Sequence, residues 1–255
     1  DPGTGKSTFA KWLALTFAAG SERVRERLAV EEDRFPILVS VAAYANAFRD
    51  KDTDSLIPLT VEEFAATGVA LIHPAARKVA EHALASGAAL LLLDGLDEVL
   101  NVGDRIEASR RIETFADNCH EDTRLVMTSR IAGYRLASFA GKTPHVTLTG
   151  FGREEVDQFA LNWARSYERQ EGKDNWETLA EERAASLTKA IHGTPQIERL
   201  ASNPLLVTIL ALVHHQGAEL PRRRVDLYKV CVEALAEHWQ KGRQTAGPAV
   251  KLMLR

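Results

Sequence analysis

The sequence predicts an α/β fold in its first part and an all-helical fold in its second. Across the first 150 residues, short apolar runs alternate with segments of helical periodicity, as in parallel sheets with flanking helices. The run at 89–93 is continuously apolar, which is expected of a strand that is covered on both faces. After Gly152 such runs disappear and helical patterns follow.

Four strands and four helices are predicted in the α/β part. The strand candidates are short, apolar and bounded by turn residues: 36–42, 88–94, 124–129 and 145–150. Three helical candidates lie between them: 61–67, 75–86 and 105–118. The fourth helix is predicted in STFAKWLALTFAAG, where Phe9, Leu13 and Phe17 recur every four residues and Gly20 ends the pattern.

Helical patterns fill the remainder of the chain. Val156, Phe159 and Trp163 form one apolar face of a helix that ends before the polar connector EGKDN. A later helix begins at NPLL, because Asn203 is a suitable N-cap and Pro204 suits the first helical position. The boundary between the two parts therefore falls near residue 150.

Composition excludes several classes of protein. With 255 residues, of which 45% are hydrophobic and 26% charged, the chain can bury a sizeable core. A net charge of −3 gives no reason to expect a nucleic acid or an anionic membrane as partner. Cys119 and Cys231 are too few and too distant for a disulfide scaffold, which favours a reducing, cytoplasmic setting. No apolar run is long enough to span a bilayer.

The opening stretch, DPGTGKST, matches the end of a phosphate-binding loop. In the pattern G-x-x-x-x-G-K-[ST], Gly5, Lys6 and Ser7 fill the last three fixed positions. The backbone N–H groups of such a loop surround phosphates at the N-terminus of the helix that follows. We expect the first glycine of the pattern, and the strand that leads to it, to lie upstream of Asp1.

A second signal is the stretch LLLLDGLDEVL. A buried strand that ends in Asp94 places a carboxylate beside the phosphate loop, where it can hold Mg²⁺ directly or through water. Asp97 or Glu98, a few residues later, can polarise an attacking water. An isolated DGLDE is more often a solvated acidic turn, but a phosphate loop in the same chain favours the chemical interpretation.

A third signal is RLVMTSR, another apolar strand followed by polar residues. Arg130 would lie at the same sheet edge as Asp94, where open α/β sheets bind their ligands. A guanidinium at that edge can reach a terminal phosphate and respond to its loss. An arginine after a strand is usually a surface residue, so the interpretation depends on the other two signals.

Six segments in this order resemble the NACHT module of the STAND signalling NTPases, close to its bacterial representatives: DPGTGKST, LLLLDGLDEV, LVMTSRIAGYR, LTGFGREEVDQFALNW, LASNPLLVTILALV and LPRRRVDLY. The resemblance covers nearly the whole chain, and TSR followed by NPLL separates it from generic P-loop enzymes. It implies a P-loop NTPase core at 1–150, a helical domain at 151–217 and the start of a winged-helix domain at 218–255.

The resemblance also implies which residues bind nucleotide and metal. Lys6 would bind the β- and γ-phosphates, and Thr8 a neighbouring phosphate oxygen. Ser7 and Asp94, the Walker B aspartate, would hold Mg²⁺. The loop residues in contact with the nucleotide would be Gly3, Thr4, Gly5, Lys6, Ser7 and Thr8.

Four further positions match functional residues of the family. Asp97 or Glu98 would be the acid that activates water, and Arg130 the sensor arginine. Pro204 would pack on the adenine, although proline is also common as the first residue of a helix without any such role. No guanine-reading motif is visible in the sequence, so ATP and ADP are the expected ligands.

The expected function is a nucleotide-dependent switch with slow ATPase activity. ADP would hold a closed monomer and ATP would promote self-association, with effector and sensor domains elsewhere in the full protein. The resemblance to bacterial members implies a role in anti-phage or stress defence. One alternative is an AAA+-type motor ATPase acting on a polymer, with Arg110 or Arg111 as the arginine finger. Another is a scaffold that binds nucleotide without cleaving it.

Overall fold

The structure, a computed structural model, describes residues 3–54, 59–139, 143–172 and 174–229. Contacts between Cα atoms divide the chain into two compact units, Asp1–Thr147 and Leu148–Arg255. Within the described ranges, no helix is both long enough and apolar enough to cross a bilayer.

The first unit is built on a parallel sheet. Its described strands lie side by side in chain order: β1 (Phe35–Ser40), β2 (Ala89–Asp94) and β3 (Arg124–Met127). The register pairs Ser40 with Asp94 and Leu93 with Met127, so the strands end together at one edge. The accompanying helices are α1 (Lys6–Ala18), α2 (Ser21–Leu28), α3 (Val41–Asp54), α4 (Val61–Ile72), α5 (Ala76–Ala85), α6 (Val102–Asn118) and α7 (Ile131–Arg135), with a 3₁₀ turn at Leu96–Glu98.

Strand β2 lies between two apolar cores, because its successive side chains alternate between the faces of the sheet. Leu90 and Leu92 pack in a cluster with Phe17 of α1. Leu91 and Leu93 belong to the larger core, which includes residues of α3, α4, α5 and α6. Each such side chain contributes about 1.5–3 kcal/mol on burial. The predicted fold class, a parallel α/β sheet with flanking helices followed by a helical region, is confirmed.

The predicted strand at 145–150 is wrong. These residues have no regular structure and are exposed, including Val146 and Leu148. An alternating pattern such as HVTLTG marks a segment that is able to pair, but pairing also needs a neighbouring strand. Among the strands that the structure describes, β3 pairs with β2 alone.

The predicted strand at 36–42 ends earlier than expected, at Ser40. The Ser40 Oγ accepts a hydrogen bond from the Ala43 N–H at 3.2 Å, so it caps the helix α3 that begins at Val41. The apolar residues after Ser40 therefore belong to a helix that the sequence analysis did not predict. Helix α6 likewise begins before residue 105, because the Asn101 side chain accepts from the Asp104 N–H at 3.0 Å.

The second unit is helical in its described part. Its helices are α8 (Arg153–Glu171), α9 (Trp176–His192), α10 (Pro195–Ala201) and α11 (Pro204–His215). Helices α8 and α9 approach each other closely through small buried residues: Ala160, Ala164, Ala180 and Ala184. Residues 224–229 are also helical, and Cys231 lies outside the described residues.

A buried ion pair joins α8 to α9 within this core. Glu168 of α8 is fully buried, and its Oε1 accepts a hydrogen bond from the Arg183 Nε at 2.5 Å. The same guanidinium contacts His215 of α11 and lies 5.5 Å from the centre of the Tyr167 ring. Three helices therefore meet at Arg183.

The start of α11 is fixed by both side-chain and backbone contacts. The Asn203 side chain accepts from the N–H groups of Leu205 and Leu206, which confirms it as the predicted N-cap. One residue earlier, the Ser202 carbonyl accepts from the Phe151 N–H at 2.7 Å. A Cβ atom at Gly150 would lie 2.8 Å from that same oxygen, so only glycine permits this approach.

Candidate functional site

The phosphate-loop residues have the backbone conformation that such a loop requires. Gly3 has φ of 78° and Gly5 has φ of 86°, both in the left-handed region that favours glycine. Gly5 is the N-cap residue of α1, and the Phe9 N–H donates to its carbonyl at 2.7 Å. The loop thus leads directly into a helix of 13 residues.

The N-terminus of α1 fits an anion. Among the described residues, no side chain caps it and its first turn holds no acidic residue. Lys6 is in that turn and donates a hydrogen bond to the Thr4 Oγ1 at 3.1 Å. A cation beside the positive end of a helix is unfavourable unless an anion binds there, and a phosphate would satisfy the first N–H groups as well.

The end of β2 is tied to the end of β3 by Thr128. Its Oγ1 donates to the Asp94 Oδ1 at 2.5 Å and accepts from the Gly95 N–H at 3.0 Å. Among the described residues this is the only hydrogen bond to the Asp94 carboxylate, which is half-buried. Asp94 is therefore held in one orientation with an oxygen available for Mg²⁺, so the donor fits that metal. Thr128 was not predicted from the sequence, although its place in RLVMTSR was a signal.

Asp97 is held by Arg130 in two ways. Its Oδ1 accepts from the Arg130 backbone N–H at 2.8 Å, at the start of α7, and its Oδ2 lies 3.1 Å from the Arg130 Nε. The Asp97 side chain is 13% exposed and that of Arg130 is 53% exposed. Two of the predicted site residues are thus brought into direct contact.

Glu98 differs from Asp97 in its surroundings. It is exposed, and its carboxyl carbon lies where a Cβ atom at Gly95 would come within 2.8 Å. The carboxyl group therefore turns back over the glycine that follows Asp94. The structure brings Asp94, Asp97, Glu98, Thr128 and Arg130 to the edge where β2 and β3 end.

A glycine on α7 permits the contact between Asp97 and Arg130. A Cβ atom at Gly133 would lie 2.3 Å from the Asp97 Cβ and 3.0 Å from its Cα. No side chain fits in that space, so α7 can approach the 3₁₀ turn at Leu96–Glu98 only because residue 133 is glycine. We call this turn, with Asp97 and Glu98, the acidic turn. This requirement involves residues far apart in the chain and was not visible in the sequence.

Pro204 lies in the second unit, at the first position of α11. Its predicted place in the fold is confirmed, and its contact with adenine stays a prediction. Arg110 and Arg111 both bond to Glu107 on their own helix. The Arg111 side chain is 15% exposed and its guanidinium lies 4.3 Å from the centre of the Phe48 ring, so this arginine does not lie on a solvated helix face.

Comparison with known proteins identifies the family. The family model of the NACHT domain matches residues 1–167, which is more than half of the chain. No curated protein and no solved structure gave a significant match. The match covers the phosphate loop, the acidic turn and the arginine after β3. The chain belongs to the NACHT domain family and is a nucleotide-binding P-loop NTPase module.

Proposed function

We propose that this chain is an ATP- and ADP-dependent switch that controls self-association. Closed ADP-bound monomers would open and assemble when ATP replaces ADP. Hydrolysis would be slow and would limit the lifetime of the assembled state. A ligand shifts such an equilibrium only through its different affinity for the two states, so a group that distinguishes ATP from ADP is needed.

The observation that carries this proposal is the contact between Arg130 and Asp97. Half of the Arg130 side chain is exposed, and among the described residues its guanidinium pairs with one carboxylate, that of Asp97 at the strand edge. A terminal phosphate offers the same guanidinium a stronger, doubly charged partner. Arg130 therefore has two competing partners, the Asp97 carboxylate and the γ-phosphate, and ADP lacks the second.

The nucleotide would be held by the first unit. The N–H groups at the start of α1, together with Lys6 and Thr8, suit the phosphates. Ser7 and Asp94 supply hydroxyl and carboxylate oxygens for Mg²⁺, which neutralises phosphate charge when bound.

Glu98 is the better candidate for the acid that orients water. The Asp97 carboxylate already accepts a hydrogen bond and an ion pair from Arg130, whereas Glu98 is exposed near Asp94. A general base must have a lone pair available for the attacking water. We therefore propose that Asp97 holds the sensor arginine and that Glu98 positions the water.

The second unit would respond to the base. Pro204 begins α11 with no N–H to satisfy, which leaves an apolar ring suited to packing on adenine. The winged-helix domain proposed for 218–255 would follow, with effector and sensor domains elsewhere in the full protein. The family resemblance supports a role in bacterial anti-phage or stress defence.

The contacts of Arg111 speak against it as the arginine finger of the motor alternative. An arginine finger must extend toward a neighbouring subunit's nucleotide. Arg111 instead bonds to Glu107 on the same helix at 2.7 Å, and its side chain is 15% exposed and packs on the Phe48 ring.

The first experiment is to denature the purified full-length protein and identify any released nucleotide. Lys6→Ala is the test variant, and Lys11→Ala, an exposed lysine on the same helix, is its matched control. We expect bound ADP in the wild type and in Lys11→Ala, and none in Lys6→Ala. An empty wild-type protein that hydrolyses ATP rapidly would favour the motor. Light scattering completes the test, because a triggered, ATP-loaded protein that stays monomeric contradicts the switch.

A further inference from the structure

Arg105 is a buried arginine that binds backbone carbonyls of the acidic turn and of the residue after it. It lies in the first turns of α6 and is 9% exposed. Its Nε donates to the Val99 carbonyl at 3.0 Å and one terminal nitrogen donates to the same oxygen at 2.6 Å. That nitrogen also donates to the Asp97 carbonyl at 3.3 Å. The guanidinium therefore bonds to the carbonyls of the two residues that flank Glu98.

Stability alone does not account for an arginine at this place. Burial of a charge is costly unless it is paired, and among the described residues no carboxylate pairs with Arg105. A cation near the N-terminus of α6 is also unfavourable for the helix dipole. Helix α6 already has Asn101 as its N-cap. Leu96 and Val99 anchor the turn in the core as buried apolar residues.

We infer that Arg105 is a positioning residue for nucleotide hydrolysis. By fixing the carbonyls of Asp97 and Val99, it sets the direction in which the Glu98 side chain leaves the turn. A small displacement of a group that orients water costs far more in rate than in binding. The inference rests on the proposed function, since it assumes that this chain hydrolyses nucleotide and that Glu98 orients the water.

Two arginines, Arg130 and Arg105, contact the acidic turn in different ways. Arg130 binds the Asp97 side chain and is free to exchange partners, whereas Arg105 binds backbone carbonyls and is buried. Removal of Arg105 should therefore leave the phosphate loop and Asp94 intact and loosen only the turn that carries Glu98.

The test compares Arg105→Gln and Arg105→Lys with Arg110→Gln in the full-length protein. Arg110 lies on the same helix but is exposed, so it is the matched control. In Arg105→Gln we expect kcat for ATP to fall about tenfold, as for other supports of a catalytic group, with the Kd for ATP and ADP unchanged. The side chain of the Arg105→Lys variant can reach one of the two carbonyls, so its kcat should lie between those of the wild type and Arg105→Gln. Hydrogen exchange of the peptide covering residues 95–101 should accelerate in Arg105→Gln and not in Arg110→Gln.

The outcomes are distinct. Hydrolysis by Arg105→Gln at the wild-type rate, or a loss of nucleotide affinity as large as the loss of kcat, would overturn the positioning role. If Arg105→Gln does not fold, the test uses Arg105→Lys alone. A wild-type kcat in Arg105→Lys would also refute the positioning role of Arg105. A wild-type protein that binds nucleotide without hydrolysing it would refute the proposed ATPase activity, and the inference with it.

Discussion

The two units each contain an arginine–carboxylate contact, and the two contacts differ in burial. In the second unit, Glu168 is fully buried, Arg183 is 25% exposed and their atoms lie 2.5 Å apart. In the first unit, Asp97 is 13% exposed, Arg130 is 53% exposed and the separation is 3.1 Å. The same chemistry therefore occurs in an apolar core and at an open sheet edge.

This difference separates structural contacts from exchangeable ones. Water reaches a largely buried pair poorly and cannot replace a lost partner. Loss of either residue of such a pair is therefore strongly destabilising. A half-exposed arginine can exchange a carboxylate for water or for another anion at little cost. The Arg183 contact is suited to holding helices together, and the Arg130 contact is suited to switching.

The largest effect is expected from Glu168→Gln. Loss of the carboxylate leaves the largely buried Arg183 without its charged partner, which should lower the free energy of unfolding of the second unit by about 3 kcal/mol. Urea denaturation followed by tryptophan fluorescence measures this, with the exposed Glu181→Gln on α9 as control. A loss no larger than that of the control would show that the buried pair is no stronger than a surface pair.

Gly133→Ala should have the next largest effect, because it forces Asp97 away from α7. The added methyl group would lie 2.3 Å from the Asp97 Cβ, and such overpacking typically costs about 2 kcal/mol. Gly68→Ala, inside α4 with open space around it, is the control and should stabilise by about 0.5–1 kcal/mol. Equal effects of the two substitutions on the melting temperature would contradict the close approach at Gly133.

Glu107 should contribute less to stability than the two residues above, and its contribution depends on pH. Hydrogen bonds from Arg110 and then Arg111 lower the pKa of Glu107 from its ordinary 4.5 to about 2. A lowered pKa in the folded state stabilises above about pH 4.5, and this stabilisation is lost as the pH falls to about 2. Because Glu107 is partly exposed, we expect about 1 kcal/mol or less.

The measurement is the free energy of unfolding of the wild type and of Glu107→Gln at several pH values. The difference between the two proteins should shrink on acidification from pH 5 to pH 2. A constant difference across this range would mean that the contact of Glu107 with its two arginines does not depend on charge.

The smallest effect on stability is expected from Asp97→Asn. A pair whose arginine is open to water contributes about 1 kcal/mol or less. Removal of the competing carboxylate should instead raise the affinity for ATP relative to ADP, by about fivefold for a typical coupling. Titration calorimetry with both nucleotides measures the ratio, and Asp117→Asn, an exposed residue of α6, is the control. A ratio that does not change would refute competition between Asp97 and the γ-phosphate for Arg130.

The sequence predicted those parts of the site that depend on local pattern. The apolar run before Asp94 is typical of a covered strand, and the glycines before Lys6 fit the pattern of a phosphate-binding loop. Asn203 was recognisable as an N-cap from its neighbours alone. The strand at 145–150 was predicted wrongly, because its alternation of apolar and polar residues is a local pattern. Strand formation also depends on a neighbouring strand, which a local pattern does not show.

The contacts of the site could not be predicted, because they join residues that are distant in sequence. Thr128 bonds to Asp94 across 34 positions, and Arg130 to Asp97 across 33. These pairings follow from the order and register of β2 and β3. Arg105 is near the turn in sequence, but an arginine at the start of a helix usually lies in water. Only the fold places it beneath the acidic turn.

The contact between Phe151 and Ser202 has a consequence for how this unit can evolve. It joins an N–H to a carbonyl, and the nearby Gly150 contributes only by lacking a side chain. The approach of residue 151 to the start of α11 is therefore encoded by peptide groups that every sequence possesses. The side chains at 151 and 202 can change over evolutionary time without breaking this hydrogen bond, as long as position 150 remains glycine.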